Sequence, residues 1–173
     1  MNTAMPEEKL QEVFDRITRE VTQEAVGIQL VRGEALPEED LCTVHIGFKQ
    51  GFHSSLSLRA DTAMLTRLTQ SFIKEEEVTD QDIEDVTKEY FNVLCGQIAS
   101  ALYRATSIAS RFDVPAFYQG SFSPEHQKEQ FVLNYSDAQH ESAQLIHHVL
   151  DSPEAPSGEK DETSAQAEAE PQD

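Results

Sequence analysis

Asp85, Glu89, Asn92 and Gly96 follow one another at intervals of four, three and four residues within a run that reads as one helix. Helical neighbours three and four apart share a face, so the Glu89 carboxylate and the Asn92 amide point the same way. At about 100° per residue, Ile83, Val86, Tyr90, Leu94, Ile98, Ala101, Ala105 and Ile108 form an apolar stripe. Asp85, Glu89, Asn92, Gly96, Ala99 and Tyr103 lie opposite, on the face expected to be exposed. A glycine in mid-helix costs about 0.5–1 kcal/mol relative to alanine, and close approach by another molecule would explain keeping it. A carboxylate and an amide make neither a nucleophile nor a metal-ligand set. An amide can orient water, because it both donates and accepts; a carboxylate can engage a cation. Together they could complete a site that another molecule supplies. Taken alone, Glu-x-x-Asn is most often plain solvated helix surface.

The longer pattern is more specific. Asp85, three residues, Glu89, two residues, Asn92, twenty-two residues and then Pro115 resembles the signature of the CheC/CheX/FliY family of chemotaxis phosphatases. The surroundings match: two apolar strand-like runs, Cys42–Phe48 and Phe52–Leu58, then an amphipathic segment, Asp61–Ile73. The resemblance spans roughly residues 7 to 150. The chain holds one such centre, which is similar to CheX rather than to CheC with its usual two.

The resemblance implies an α+β fold, a CheX-like domain with long central helices packed on a mainly antiparallel sheet. It implies a phosphatase acting on the aspartyl phosphate of a CheY-like response regulator. Such a partner brings the phosphoryl group, Mg²⁺ and a Lys. Asn92 would orient the attacking water and Glu89 would contact the regulator's active-site Lys. Gly96 and Ala99 would let the regulator approach, and Tyr103 would be a rim contact. Asp85 reads first as a first-turn acid favoured by the helix dipole, and second as a contact to the partner. Pro115 is expected to shape a strand entry. No metal or cofactor of the chain's own is expected, and a homodimer is. A non-catalytic module that binds a receiver domain is the alternative. Two departures stand out: Gln97 follows Gly96 where relatives commonly have Asn, and Tyr90 and Phe91 are bulky. Phe91, near the boundary of the exposed face, is expected to narrow the approach.

Length and composition fit this reading. The 173 residues, 38% of them apolar, suffice for one domain with a sizeable core. Thirteen basic against 32 acidic residues leave a formal charge of −19, which disfavours nucleic acid and anionic membrane as partners. No run is long enough to span a bilayer, and Met1–Pro6 lacks the features of a signal peptide. A cytoplasmic location is expected, with Cys42 and Cys95 as reduced thiols. His147-His148 is the one adjacent histidine pair, and on a strand its members face opposite ways, so no metal site is expected.

The positioning elements follow from periodicity. Pro6–Thr22 reads as a helix with Leu10, Val13, Ile17 and Val21 inward, and Val26–Val31 as a short strand. Gly33–Asp40 is an acidic loop. Lys49-Gln50-Gly51 reads as a hairpin turn. Asp61 is the expected N-cap of the next helix, and Thr79 or Asp80 that of the long one, which should end near Ser107–Ser110. Phe112–Tyr118 and Gln130–Tyr135 read as strands. His140–Leu150 fits strand or helix, with strand preferred. Residues 1–150 form the expected domain. Residues 151–173, with eight acids and one Lys, read as an acidic disordered tail that cannot bury enough apolar surface to order itself.

Overall fold

The computed structural model describes residues 5–33, 40–50 and 53–150. The tail at 151–173, residues 34–39 of the acidic loop, and Gly51 and Phe52 of the hairpin turn lie outside the described residues. Three helices, α1 (Glu7–Val26), α2 (Thr62–Ile73) and α3 (Asp80–Thr106), accompany seven strands. These are β1 (Val31–Arg32), β2 (Leu41–Gln50), β3 (Ser54–Asp61), β4 (Arg111–Phe112), β5 (Ala116–Gln119), β6 (Gln127–Ser136) and β7 (Ser142–Leu150). The strands form one sheet in the order β1-β6-β7-β3-β2-β4, with β5 also on β2. Every pairing is antiparallel. This is the expected α+β architecture, helices against a mainly antiparallel sheet, and β7 resolves His140–Leu150 as strand.

Alternation along the strands decides which face carries the helices. Val44, Leu58, Leu145 and Leu133 pair in register across β2, β3, β7 and β6, a row of aliphatic side chains buried under the helical layer. Burying one such side chain is worth about 1.5–3 kcal/mol, so this row fixes both register and face. A slip of one residue would turn the whole row outward. On the reverse face Thr43, Ser57, Ile146 and His148 are also buried. A crossing segment closes it: Phe122 stacks on Tyr118 with ring centroids 4.0 Å apart, and Arg59 donates to the Phe122 carbonyl at 3.2 Å.

Several boundaries depart from the sequence reading. α1 runs on to Val26, and the strand expected at Val26–Val31 shrinks to Val31–Arg32. The cause is Gly27, in the left-handed region with φ 71°, whose amide donates to the Gln23 carbonyl and caps the helix. Phe14, at 1% exposure, is the most buried apolar side chain of α1. The strand expected over Phe112–Tyr118 splits into β4 and β5, which line up along the same edge of β2. Pro115 stands in the gap, where its missing N–H would interrupt the ladder, so Pro115 does shape a strand entry. Asp61 occupies the N-cap position of α2 but makes no capping bond; its carboxylate accepts from the Ser142 amide at 2.8 Å and ties α2 to β7.

Candidate functional site on the exposed face of α3

α3 begins at a capping box. The Thr79 hydroxyl accepts from the Asp82 amide at 3.0 Å, and the Asp82 carboxylate accepts from the Thr79 amide at 2.9 Å. It ends at Ser107, φ 62°, whose amide donates to the Tyr103 carbonyl. Between them the helix packs on α1, α2, β2 and β5, so it is buried on more than one stripe. Thr87, Phe91, Cys95 and Leu102 join Ile83, Val86, Tyr90, Leu94, Ile98 and Ala101 inside. Ala105, placed inward by the simple projection, is exposed, because the helix there has reached its last turn. Cys42 and Cys95 are buried and not joined to one another; burial pushes the Cys95 thiol well up, which suits packing and not nucleophilic attack.

Asp85, Glu89, Asn92 and Gly96 are exposed and Ala99 is half-buried. They share one face as the spacing requires. The two bulky residues between acid and amide turn out to be anchors. Tyr90 is 3% exposed and Phe91 0%, so Phe91 does not narrow the approach. It sits under the helix because α3 has neighbours on both flanks. The Tyr90 hydroxyl meets the Thr22 hydroxyl of α1 at 2.5 Å, and burial pushes Tyr90 up to about 12. These anchors fix the helix about its own axis, so Glu89 and Asn92 are held outward.

Neither Glu89 nor Asn92 has a side-chain partner among the described residues. Their neighbours are engaged: Gln81 donates to Asp85 at 2.9 Å, and Lys88 pairs with Glu84 at 3.1 Å. The upper half of this face is therefore acidic, with its one lysine already committed. Among the described residues a Cβ at Gly96 would meet nothing within 4 Å, so no packing among them requires glycine there. Beyond Gly96 the face opens into a groove lined by Gly96, Ala99, Ser100, Tyr103, Arg104 and Phe112. Tyr103, 53% exposed, stands on its rim. The sequence reading missed Ser100 and Arg104. Their spacing of four and eight from Gly96 continues the same face and was the available signal. Gln97 lies off it, lining a separate groove with Val93 of α3 and Ile17 and Val21 of α1. Among the described residues no three His, Cys, Asp or Glu side chains gather as a metal-ligand set, and no helix is long and apolar enough to cross a membrane.

A family model described as chemotaxis phosphatase CheX matches residues 42–136, which include all of α3. No curated protein matches the sequence. Solved structures with the same fold include a CheX from Vibrio vulnificus, at 16% identity and TM-score 0.67, covering 84% of this chain and 98% of that one. A CheX from Desulfovibrio desulfuricans has 16% identity and TM-score 0.65, over 80% of this chain and 97% of that one. A chain of the CheX–CheY–BeF3–Mg²⁺ complex from Borrelia burgdorferi has 15% identity and TM-score 0.65, over 83% and 98%. At these identities the likeness shows the fold.

Proposed function

This chain belongs to the CheX family of chemotaxis phosphatases, and from that premise we propose that it hydrolyses the aspartyl phosphate of a CheY-like response regulator. One observation carries the reading. An acid and an amide with no partner among the described residues are held outward on a rigid helix, beside a glycine that no packing among those residues requires. The likeness to a chain solved in complex with CheY, BeF3 and Mg²⁺ supports a receiver-domain partner.

The regulator supplies the phosphoryl group, a Lys and the Mg²⁺, which neutralises charge on the phosphoryl oxygens. This chain supplies position. Asn92 holds a water in line with the scissile bond, accepting from it through Oδ1 and leaving a lone pair aimed at phosphorus. The water's oxygen bonds to phosphorus as the phosphorus–oxygen bond to the regulator's aspartate breaks. The products are inorganic phosphate and the free carboxylate. Glu89 pairs with the regulator's Lys and sets the docking register, and the acidity of the surrounding face favours that cation. Asp85 and Ala99 lie within the docking footprint. A homodimer and a cytoplasmic location belong to the same proposal.

The direct test is the decay of a phosphorylated receiver domain with Mg²⁺, with and without this protein. Catalytic acceleration supports the proposal. Tight binding with an unchanged decay rate overturns it in favour of the non-catalytic module. A second variant isolates the docking surface. Gly96→Ala should leave the fold as stable as before, or more stable by up to about 1 kcal/mol, because alanine is the better helix former. It should nonetheless raise the KM for the phosphorylated regulator several-fold, because the new methyl group stands where the partner comes close. Urea unfolding and steady-state kinetics on the same preparation separate the two effects. An unchanged KM would remove Gly96 from the interface.

A further inference from the structure

A second site lies away from the Glu89–Asn92 face. Between the C-terminal turns of α3, the start of α1 and the ends of β3 and β7 there is a cavity of about 160 Å³. Its wall is mostly apolar, with Leu10, Phe14, Leu102 and Val149 among the lining residues. Two polar groups in this wall are incompletely used. Ser54, 8% exposed, projects to the helix side of β3, and its hydroxyl is buried without a hydrogen-bond partner among the described residues. His147, 7% exposed, bonds through Nδ1 to the Gln130 amide oxygen at 2.6 Å. That bond makes Nδ1 the protonated nitrogen and leaves Nε2 as an acceptor. Phe14 meets the His147 ring edge-on at 5.3 Å, so the polar end is framed by aromatic edges.

A buried hydroxyl without a partner costs about 1–3 kcal/mol, and a cavity near 150 Å³ is large enough for a benzene-sized guest. We propose that this cavity binds a small neutral aromatic molecule carrying one hydroxyl group. The ring fills the apolar wall, the ligand's O–H donates to His147 Nε2, and its oxygen accepts from Ser54. Carboxylates are disfavoured at the polar end of the cavity: no Lys or Arg lines it, the other lining histidine, His53, is exposed, and burial keeps His147 neutral, its pKa pushed down to about 4. Leu102 lies ten residues from Asn92, roughly 15 Å along α3, so the cavity is separate from the proposed catalytic face and stands independently of it.

Phenol, benzene and benzoate are the probes, titrated into the full chain at neutral pH and read by calorimetry and by the His147 ring resonances. Phenol should bind at sub-millimolar to millimolar concentration, benzene about tenfold more weakly, and benzoate not at all. Ser54→Ala should weaken phenol about five- to tenfold and leave benzene unchanged. Val149→Phe, which fills the cavity, should abolish both. Phenol binding that moves no His147 resonance, survives Val149→Phe or equals benzoate binding would overturn the proposal. So would the absence of phenol binding to the wild-type chain at 10 mM, about tenfold above the millimolar end of the expected range. Ser54→Ala removes one hydroxyl without adding volume, so the test holds even where Val149→Phe fails to fold.

Discussion

Asn92→Ala should lower the acceleration of regulator dephosphorylation by about 10²–10³-fold, the range for losing one group that positions or stabilises the reacting atoms. The argument rests on what Asn92 does not do. Its side chain is exposed and has no partner among the described residues, so its removal breaks no internal bond. Alanine is the better helix former, by up to about 0.7 kcal/mol, so the variant should be as stable as the parent. Loss of activity would then be loss of water positioning and not of fold. Glu89→Ala should act differently. If Glu89 fixes docking through the partner's lysine, its loss falls chiefly on KM, whereas loss of Asn92 falls chiefly on kcat. Single-turnover decay of the phosphorylated regulator over a range of enzyme concentrations, with thermal unfolding of each variant, provides the check. An Asn92→Ala protein as fast as the parent would end the assigned role.

The phase of α3 was legible in the sequence because its outward face is polar or small at each expected step: Asp85, Glu89, Asn92, Gly96. Its inward side was legible only in part. A single stripe describes a helix with one buried side, and α3 has the sheet beneath it and α1 and α2 beside it. Phe91 was therefore placed at the boundary and Cys95 left out of the inward stripe, although each is 0% exposed. The outward aim of the acid–amide pair depends on just this clamping, through Tyr90 and Thr22, and no pattern within α3 names Thr22 as the partner. The end of α1 was readable in principle from Gly27, but the β-branched and aliphatic run from Val26 to Val31 mimics a strand. Pro115 carried the clearest local signal, a residue without an N–H in an apparent strand, and the structure breaks the strand there.

Acid should unfold this protein earlier than its carboxylates alone would require. Two histidines of the sheet are buried, His147 and His148, and a third, His45, is half-buried. His147 packs between Phe14 and Phe131 on the helix face. On the reverse face His45 and His148 both meet the Ser57 hydroxyl, at 2.7 and 3.0 Å. Burial lowers each pKa from 6.5 to about 4; beyond that, His148 opposes protonation of His147, and His45 and Arg59 oppose that of His148. The sign follows from proton counting. Above pH 6.5 neither state holds the proton and stability is complete. Between 6.5 and 4 the unfolded chain binds protons that the folded chain does not, so stability falls with pH. For His147 alone the loss approaches about 3 kcal/mol near pH 4. His45 and His148 add less than twice that, because their titrations are coupled and His45 is only half-buried. Asp15 acts in the same direction lower down: burial raises its pKa, but hydrogen bonds from Arg19 and Tyr135 outweigh that and hold it below the usual carboxylate value. Against a typical total of about 5–15 kcal/mol, these losses are large. Urea midpoints at pH 7.5, 6, 5 and 4.5 should therefore fall steeply below pH 6. His147→Phe, which keeps a ring between Phe14 and Phe131, should flatten that slope by about one proton per molecule. A slope equal to the parent's would show that His147 does not contribute to it.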